Sequence, residues 1–322
     1  MTTTTLGSRA RWTALLLLFG TLTLRGGVPP APATGAARAV PELFAGEMDD
    51  VGPQYLLLPA QARLPLELWT ECEITGTSNA TLVESNPHSS TITSMQVGAT
   101  APFTRKSWRG GELEIDAGFR LQTYRYGLLA QPRRKINFIE IDRNDFDLIG
   151  AHLQGAWRRE GWFASAALRG ASLENRANHR VFYQEASFEW QLFRQWRAGA
   201  RGVIVAGLEG AMRWSHTDSF GLLPAGWNNR VEQALVVVYD RSIAARWRLQ
   251  PAVRVLASEY LHRDRARRDV HGSARTSLIR RLGEQAELRL SIGYDRRNSS
   301  EPLIADFAKW DAALAAGAHW RF

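Results

Sequence analysis

What the chain lacks narrows its class first. Cys72 is the one cysteine among 322 residues, so an intramolecular disulfide is excluded and with it a disulfide-stapled scaffold. It stands too far from the N-terminus to carry a lipid anchor, and it reads as a small apolar side chain on a strand. The seven histidines are scattered, with no H-x-x-x-H or H-E-x-x-H spacing and no Cys/His cluster. That leaves no candidate metal ligand set, and no cofactor is expected. Long apolar runs are missing as well: none approaches the roughly 18 residues of a membrane-spanning helix. After residue 40 no stretch carries a helical apolar stripe. Acids are absent from residues 1–39, which hold Arg9, Arg11, Arg25 and Arg38. Removing that segment takes the formal net charge from +8 down by those four arginines to +4. An excess that mild does not argue for nucleic acid.

What is present begins with a targeting signal. Arg9 and Arg11 precede the apolar core "WTALLLLFGTLTL", and A-x-A sequences follow, ending at Ala33 and Ala39. These are the parts of a secretory signal peptide, expected to occupy residues 1–39. Residues 40–62, "VPELFAGEMDDVGPQYLLLPAQA", are acidic and punctuated by Pro and Gly, which predicts a periplasmic linker.

From about residue 63 the periodicity becomes two. Leu66, Leu68, Cys72 and Ile74 alternate with Glu67, Glu71 and Glu73. In "ELEIDAGFRLQTY", Leu113, Ile115, Ala117, Phe119 and Leu121 face one way, and Glu114, Asp116, Arg120 and Gln122 the other. The tail behaves likewise: Trp310, Ala312, Leu314, Ala316, Ala318, Trp320 and Phe322 oppose Asp311, Ala313, Ala315, Gly317, His319 and Arg321. Successive side chains of a strand point to opposite faces, so each segment is a strand with one apolar side. Further strands are expected at 196–210, 230–240, 246–260, 270–280 and 286–296, making about twelve. Their connections alternate long with short, from roughly 7–21 residues down to roughly 3–9.

A soluble sandwich has no reason for that alternation, whereas an outer-membrane barrel has short periplasmic turns and long external loops. Trp157, Trp162, Trp190, Trp196, Trp247 and Trp320 fall beside the short connections, and Tyr124, Tyr126, Tyr183, Tyr260 and Tyr294 beside the long ones. This distribution predicts two aromatic bands at the membrane interfaces, with Tyr239 on the wrong side. The expected fold is all-β, a transmembrane antiparallel up-and-down β-barrel of about twelve strands over residues 63–322. Pro251 inside the ninth strand and the non-alternating runs "GVIVAG" and "ALVVVYD" resist this reading.

The stretch "SIGYDRRNSSEPLIADFAKWDAALAAGAHWRF" resembles the last hairpin of outer-membrane β-barrel porins of Gram-negative bacteria, through Tyr294, Asn298, Ser299, Phe307 and Phe322. "ITGTSNATL" is similar to the first strand of the same group, with Ser78 where an Asp often precedes the Asn. The resemblance implies a bacterial outer-membrane location among lipid and lipopolysaccharide. It also implies a C-terminal assembly signal, Trp320 and Phe322, read by the barrel-assembly machinery. These motifs are structural and carry over no catalytic or ligand residue.

Inside a closed barrel the polar faces would line the lumen. The expected pore-lining groups are the acids Glu114, Asp116, Glu185, Glu189, Glu287 and Asp311 with the basic Arg120, Arg169, Arg201, Arg254, Arg275, Arg289 and Arg321. Opposed acidic and basic walls would favour small polar solutes, so the expected function is a narrow porin-like channel. With about twelve strands the bore is narrow, and the same charges could instead plug it. The alternative is then a structural or assembly barrel without channel activity. A phospholipase-type enzyme is a third class. It needs a lipid-facing Ser and His within reach of each other, whereas His152, His271 and His319 fall on the lumenal face. The basic stretch "RDRARRD" before strand ten is a candidate contact for lipopolysaccharide, offset by Asp264 and Asp269.

Overall fold

A computed structural model describes residues 66–80, 89–127, 145–176, 179–217, 226, 228–261, 267–301 and 306–321. The signal peptide, the linker, Phe322 and most of "RDRARRD" lie outside the described residues.

The twelve strands are β1 (Glu67–Thr77), β2 (Ser90–Trp108), β3 (Gly111–Tyr126), β4 (Phe146–Arg159), β5 (Trp162–Asn175) and β6 (Arg180–Arg197). They continue with β7 (Gly202–Thr217), β8 (Arg230–Ala244), β9 (Trp247–Tyr260), β10 (Arg267–Arg281), β11 (Ala286–Ser299) and β12 (Phe307–Arg321). Each pairs antiparallel with the next, and β12 returns to β1 from Glu67↔Arg321 to Thr77↔Asp311, closing the barrel. Closure leaves no unpaired edge, which a strand in hydrocarbon cannot tolerate.

Local chemistry sets the turns. At Arg109–Gly110 and Glu160–Gly161 both central residues have positive φ (49° and 72°, 45° and 83°). This is the type I′ geometry whose twist matches that of the flanking strands. The other short turns, 198–201, 245–246 and 282–285, lie at the same end of the barrel, and the longer connections lie at the opposite end.

The alternation expected from sequence fixes the faces. Val97, Leu121, Ile149, Leu153, Leu168, Leu208, Leu235, Val253, Leu290, Ile292 and Leu314 project outward, each 44–57% exposed. A continuous apolar band of this extent is unsuited to water and suited to a lipid chain region. Cys72 is exposed on the same outward parity of β1.

Three sequence expectations change. The strand expected at 196–210 is divided: β6 runs on through Trp196 to Arg197, the turn 198–201 follows with Gly199 at φ 77°, and β7 extends to Thr217. Pro251 does not end β9. Pairing with β8 lapses there, between Val238↔Ala252 and Arg241↔Leu249, while Thr276↔Pro251 keeps the β10 side in register. A proline lacks the N–H that β8 would accept, so only one ladder is interrupted.

The third change concerns the aromatic bands. Trp162, Trp196 and Trp320 are exposed outward at the turn end (38%, 44% and 38%). Tyr124, Tyr126, Tyr183 and Tyr260, however, turn inward and are at most 8% exposed. Of the expected tyrosines only Tyr294 faces out, packing on Trp310 with centroids 5.0 Å apart. Distance from a loop places a residue near an interface, but parity decides whether it meets lipid or lumen.

Candidate functional site

The lumen is the site, and its two halves differ. Toward the loop end it is filled. Tyr124, Tyr126, Phe146, Leu148, Leu173, Tyr183 and Phe307 form an apolar cluster there, with Tyr124 stacked on Phe146 at 4.5 Å. Beside it lies an ion network. Arg213 Nε donates to Glu232 Oε2 at 2.7 Å and its Nη1 to Glu185 Oε1 at 2.7 Å, while Nη2 lies 3.1 Å from Glu189 Oε1. Arg230 Nε donates to the other Glu232 oxygen at 2.6 Å, and the Tyr183 hydroxyl donates to Glu185 at 2.6 Å. Two acids are thus shared by two guanidiniums, and Arg230, Glu232 and Arg213 are 2%, 4% and 7% exposed.

Similar pairs complete that end. Arg267 chelates Asp269 and its guanidinium lies 3.8 Å from the Tyr260 ring centroid. Lys309 bridges Asp311 and Asp295, the latter at 3.6 Å, and His271 faces Asp295 at 3.5 Å. Charges this deep persist because each has an opposite partner, since desolvating one alone is costly.

The turn-side half holds a cavity of about 950 Å³. It extends from Glu185, Arg213 and Glu232 to Gly283 and Glu284 in the β10–β11 turn. One flank is apolar, formed by Val205, Ala234 and Leu256 from a cluster that also includes Phe163, Phe193, Val236 and Val238. This explains why "GVIVAG" and "ALVVVYD" lose alternation. Ile204, Leu235 and Val237 are exposed outward, and Val205, Val236 and Val238 fill the lumen, so both faces of these strands are apolar.

Ion pairs cross the cavity wall. Arg169 meets Glu189 at 2.9 Å, Arg254 meets Glu209 at 3.0 Å, Arg289 meets Glu71 at 3.1 Å, and Arg248 meets Asp240 at 3.0 Å. Carboxylates and guanidiniums line the cavity in nearly equal number. The ion pairs form between adjacent or next-nearest strands, not between walls facing each other across the lumen, which corrects the expectation of opposed acidic and basic walls. Pairing over a few ångströms relieves desolvation far better than separation across a lumen.

The expected pore-lining residues therefore separate into groups. Arg120, Arg169, Glu185, Glu189, Arg254, Glu287 and Arg289 line the cavity. Asp116 faces the lumen 3.1 Å from His152, and Glu114 joins Arg105 and Arg158 at the turn end at 2.8 and 3.3 Å. Arg321 pairs with Glu67 at the β12–β1 seam. Arg275 points inward on β10, half-buried. Two placements are corrected. Arg201 sits in the turn before β7, exposed at the barrel's end, because the strand starts one residue later. Asp311 is 4% exposed among Lys309 and its neighbours, away from any water-lined bore.

Sequence reasoning missed Arg213, Arg230, Glu232, Arg267, Asp269 and Lys309. A signal was there: β8, β10 and β12 each carry a basic-x-acidic triplet at their loop ends, Arg230/Glu232, Arg267/Asp269 and Lys309/Asp311, all hydrogen-bonded at i,i+2. Trp69 was missed too. It lies on the lumenal parity of β1 across Gly98, where an added Cβ would come within 2.4 Å of the indole.

His152 and His271 face the lumen beside Asp116 and Asp295. His216, at the loop end of β7, falls on the outward parity shared with Met212 and Trp214. Among the described residues no serine is hydrogen-bonded to it.

No family model matches the chain, and no curated protein matches it in sequence. Solved structures share its architecture. An outer membrane channel from Pseudomonas putida F1 is 11% identical with a TM-score of 0.48, over 80% of this chain and 95% of that one. The chain is a closed, twelve-stranded antiparallel β-barrel. The beta domain of the Bordetella autotransporter BrkA (13%, TM-score 0.42, 78% and 98% covered) and the KdgM porin (6%, 0.38, 78% and 98%) are further examples. The likeness is one of barrel architecture and carries no residue across.

Proposed function

We propose that this barrel is a narrow outer-membrane channel for small polar solutes, its loop-side end closed by packed side chains. The observation that carries this reading is the cavity of about 950 Å³, lined by paired acids and arginines and reaching the turn end. Among the described residues only side chains separate it from the loop-side mouth: the Arg213–Glu232–Arg230–Glu185 network and the Tyr124/Phe146 cluster. Side chains change rotamer far more readily than a barrel wall changes register. A near-neutral polar wall suits uncharged or zwitterionic solutes better than strong ions.

Lipid and lipopolysaccharide would surround the apolar band, and the assembly machinery would read the last strand through Trp320, which faces outward, together with Phe322. The competing reading, a structural or assembly barrel without conduction, is favoured by the same filled loop end. Planar-bilayer recording separates the two. A channel gives discrete conductance steps that enlarge in the Arg213→Ala/Glu232→Ala double variant, because both members of the central pair are removed together. A folded barrel silent in both forms identifies a structural role.

A further inference from the structure

At the turn end, on the outer face, the chain repeats one construction. Trp162, the first residue of β5, is the cross-strand partner of Arg194 on β6, and the guanidinium lies 4.8 Å from the indole centroid. Trp247, the first residue of β9, is the partner of Arg280 on β10, at 5.3 Å. Arg194 is also 6.0 Å from Trp196, so two indoles flank it. Both arginines share the outward parity of Leu192 and Leu278. Neither has a carboxylate partner among the described residues.

These arginines sit where the apolar band meets the headgroup layer. An arginine stacked on an indole has one face of its guanidinium covered and its N–H groups directed edgewise, held in a plane. That fork matches two oxygens of a phosphate. The indoles occupy the interfacial depth that Trp prefers. Around them the strand ends and turns add exposed Arg159, Arg197, Arg201, Arg241 and Arg246 against few acids. A basic collar of this kind raises the local concentration of anionic lipid. Among the described residues no outward indole at the loop end is paired with an arginine in this way, and Trp310 packs on Tyr294 instead.

We propose that Trp162–Arg194–Trp196 and Trp247–Arg280 are two headgroup sites that bind the phosphate of an anionic glycerophospholipid in the leaflet at the turn end. They are independent of conduction through the lumen.

The test is native mass spectrometry of the full barrel released from mixed phosphatidylglycerol and phosphatidylcholine vesicles, comparing retained lipids. The wild type retains phosphatidylglycerol preferentially. Arg194→Gln/Arg280→Gln lowers the phosphatidylglycerol-to-phosphatidylcholine ratio by about threefold or more, as expected for losing charge-assisted hydrogen bonds at half-exposed sites. Heat-modifiable gel mobility checks that the variant is folded. Arg194→Lys/Arg280→Lys restores part of the preference, since a point charge remains without the planar fork. A control pair in the collar, Arg201→Gln/Arg246→Gln, leaves most of it. No preference in the wild type would overturn the proposal. So would an undiminished preference in Arg194→Gln/Arg280→Gln, or an equal loss in the collar control, which would assign binding to the collar's charge alone.

Discussion

Arg213 on β7 and Glu232 on β8 are joined by a 2.7 Å Nε–Oε2 hydrogen bond at the centre of the lumen, at 7% and 4% exposure. Arg230 holds the second Glu232 oxygen and Glu185 the second arm of Arg213. Among the described residues the loop side of this pair is packed with side chains, and the turn side holds the cavity beside the apolar cluster of Phe163, Phe193, Val236 and Val238. The pair therefore marks the constriction of the barrel.

Removing one partner should be costly. Glu232→Ala takes away the acceptor of both Arg213 Nε and Arg230 Nε, with Glu185 and Glu189 still opposite the two guanidiniums. It is expected to destabilise by about 3 kcal/mol, the lower end for a broken buried pair. Urea unfolding in vesicles, followed by tryptophan fluorescence, measures it. A loss below about 1 kcal/mol would mean that water already reaches this network.

Gly98 should be intolerant of a side chain. A Cβ there would stand 2.4 Å from the Trp69 indole and 2.8 Å from the Phe119 carbonyl oxygen. Gly98→Ala is expected to destabilise by about 1–3 kcal/mol, and Trp69→Ala in the same chain should recover part of this. A double-mutant cycle reads the coupling, and strict additivity would show that the ring can move aside at no cost.

Pro251 leaves a gap in the β8–β9 ladder. Pro251→Val should supply the missing N–H and close it. Hydrogen exchange is expected to show a protected amide at residue 251 and slower exchange at Tyr239 and Asp240. The stability gain is about 0.5–1.5 kcal/mol, reduced by the greater freedom of the unfolded chain. Fast exchange at residue 251 would indicate that Arg248 and Gln250, which both reach Asp240 at 3.0 and 3.3 Å, hold the strands apart.

Ion preference should follow a lumenal arginine that is not locked in a close ion pair. Arg275 points into the lumen with no carboxylate at ion-pair distance among the described residues, though it feels Asp295, whereas Arg201 is exposed in a turn. Arg275→Glu is expected to shift the reversal potential in a salt gradient toward cations by more than Arg201→Glu does, because screening by the bath weakens a charge at the rim. Equal shifts would place the selective region at the turn-side mouth.

Much of this barrel was legible in the linear chain. Period-two alternation assigned Leu121, Leu314 and Trp320 to the outer face and Glu114, Glu189 and Arg289 to the inner one. Counting the alternating segments gave about twelve strands, and the contrast of short and long connections pointed to a barrel rather than a sandwich. Both are local properties, since the pleat sends each side chain opposite to its neighbours whatever lies beyond.

Parity names a face and never a partner. Arg289 meets Glu71 across β12, 218 positions away in sequence, and Arg254 meets Glu209 across β8. Such contacts depend on the curvature and register of the closed sheet. The inward turn of Tyr124, Tyr183 and Tyr260, the apolar cluster behind "ALVVVYD" and the division of the lumen into a packed half and an open half follow from the same cause. The sequence by itself determined a closed β-barrel with one greasy face. Only tertiary structure decided how its inward side chains meet across the lumen, because that contact is set by strands brought together at the seam and not by neighbours along the chain.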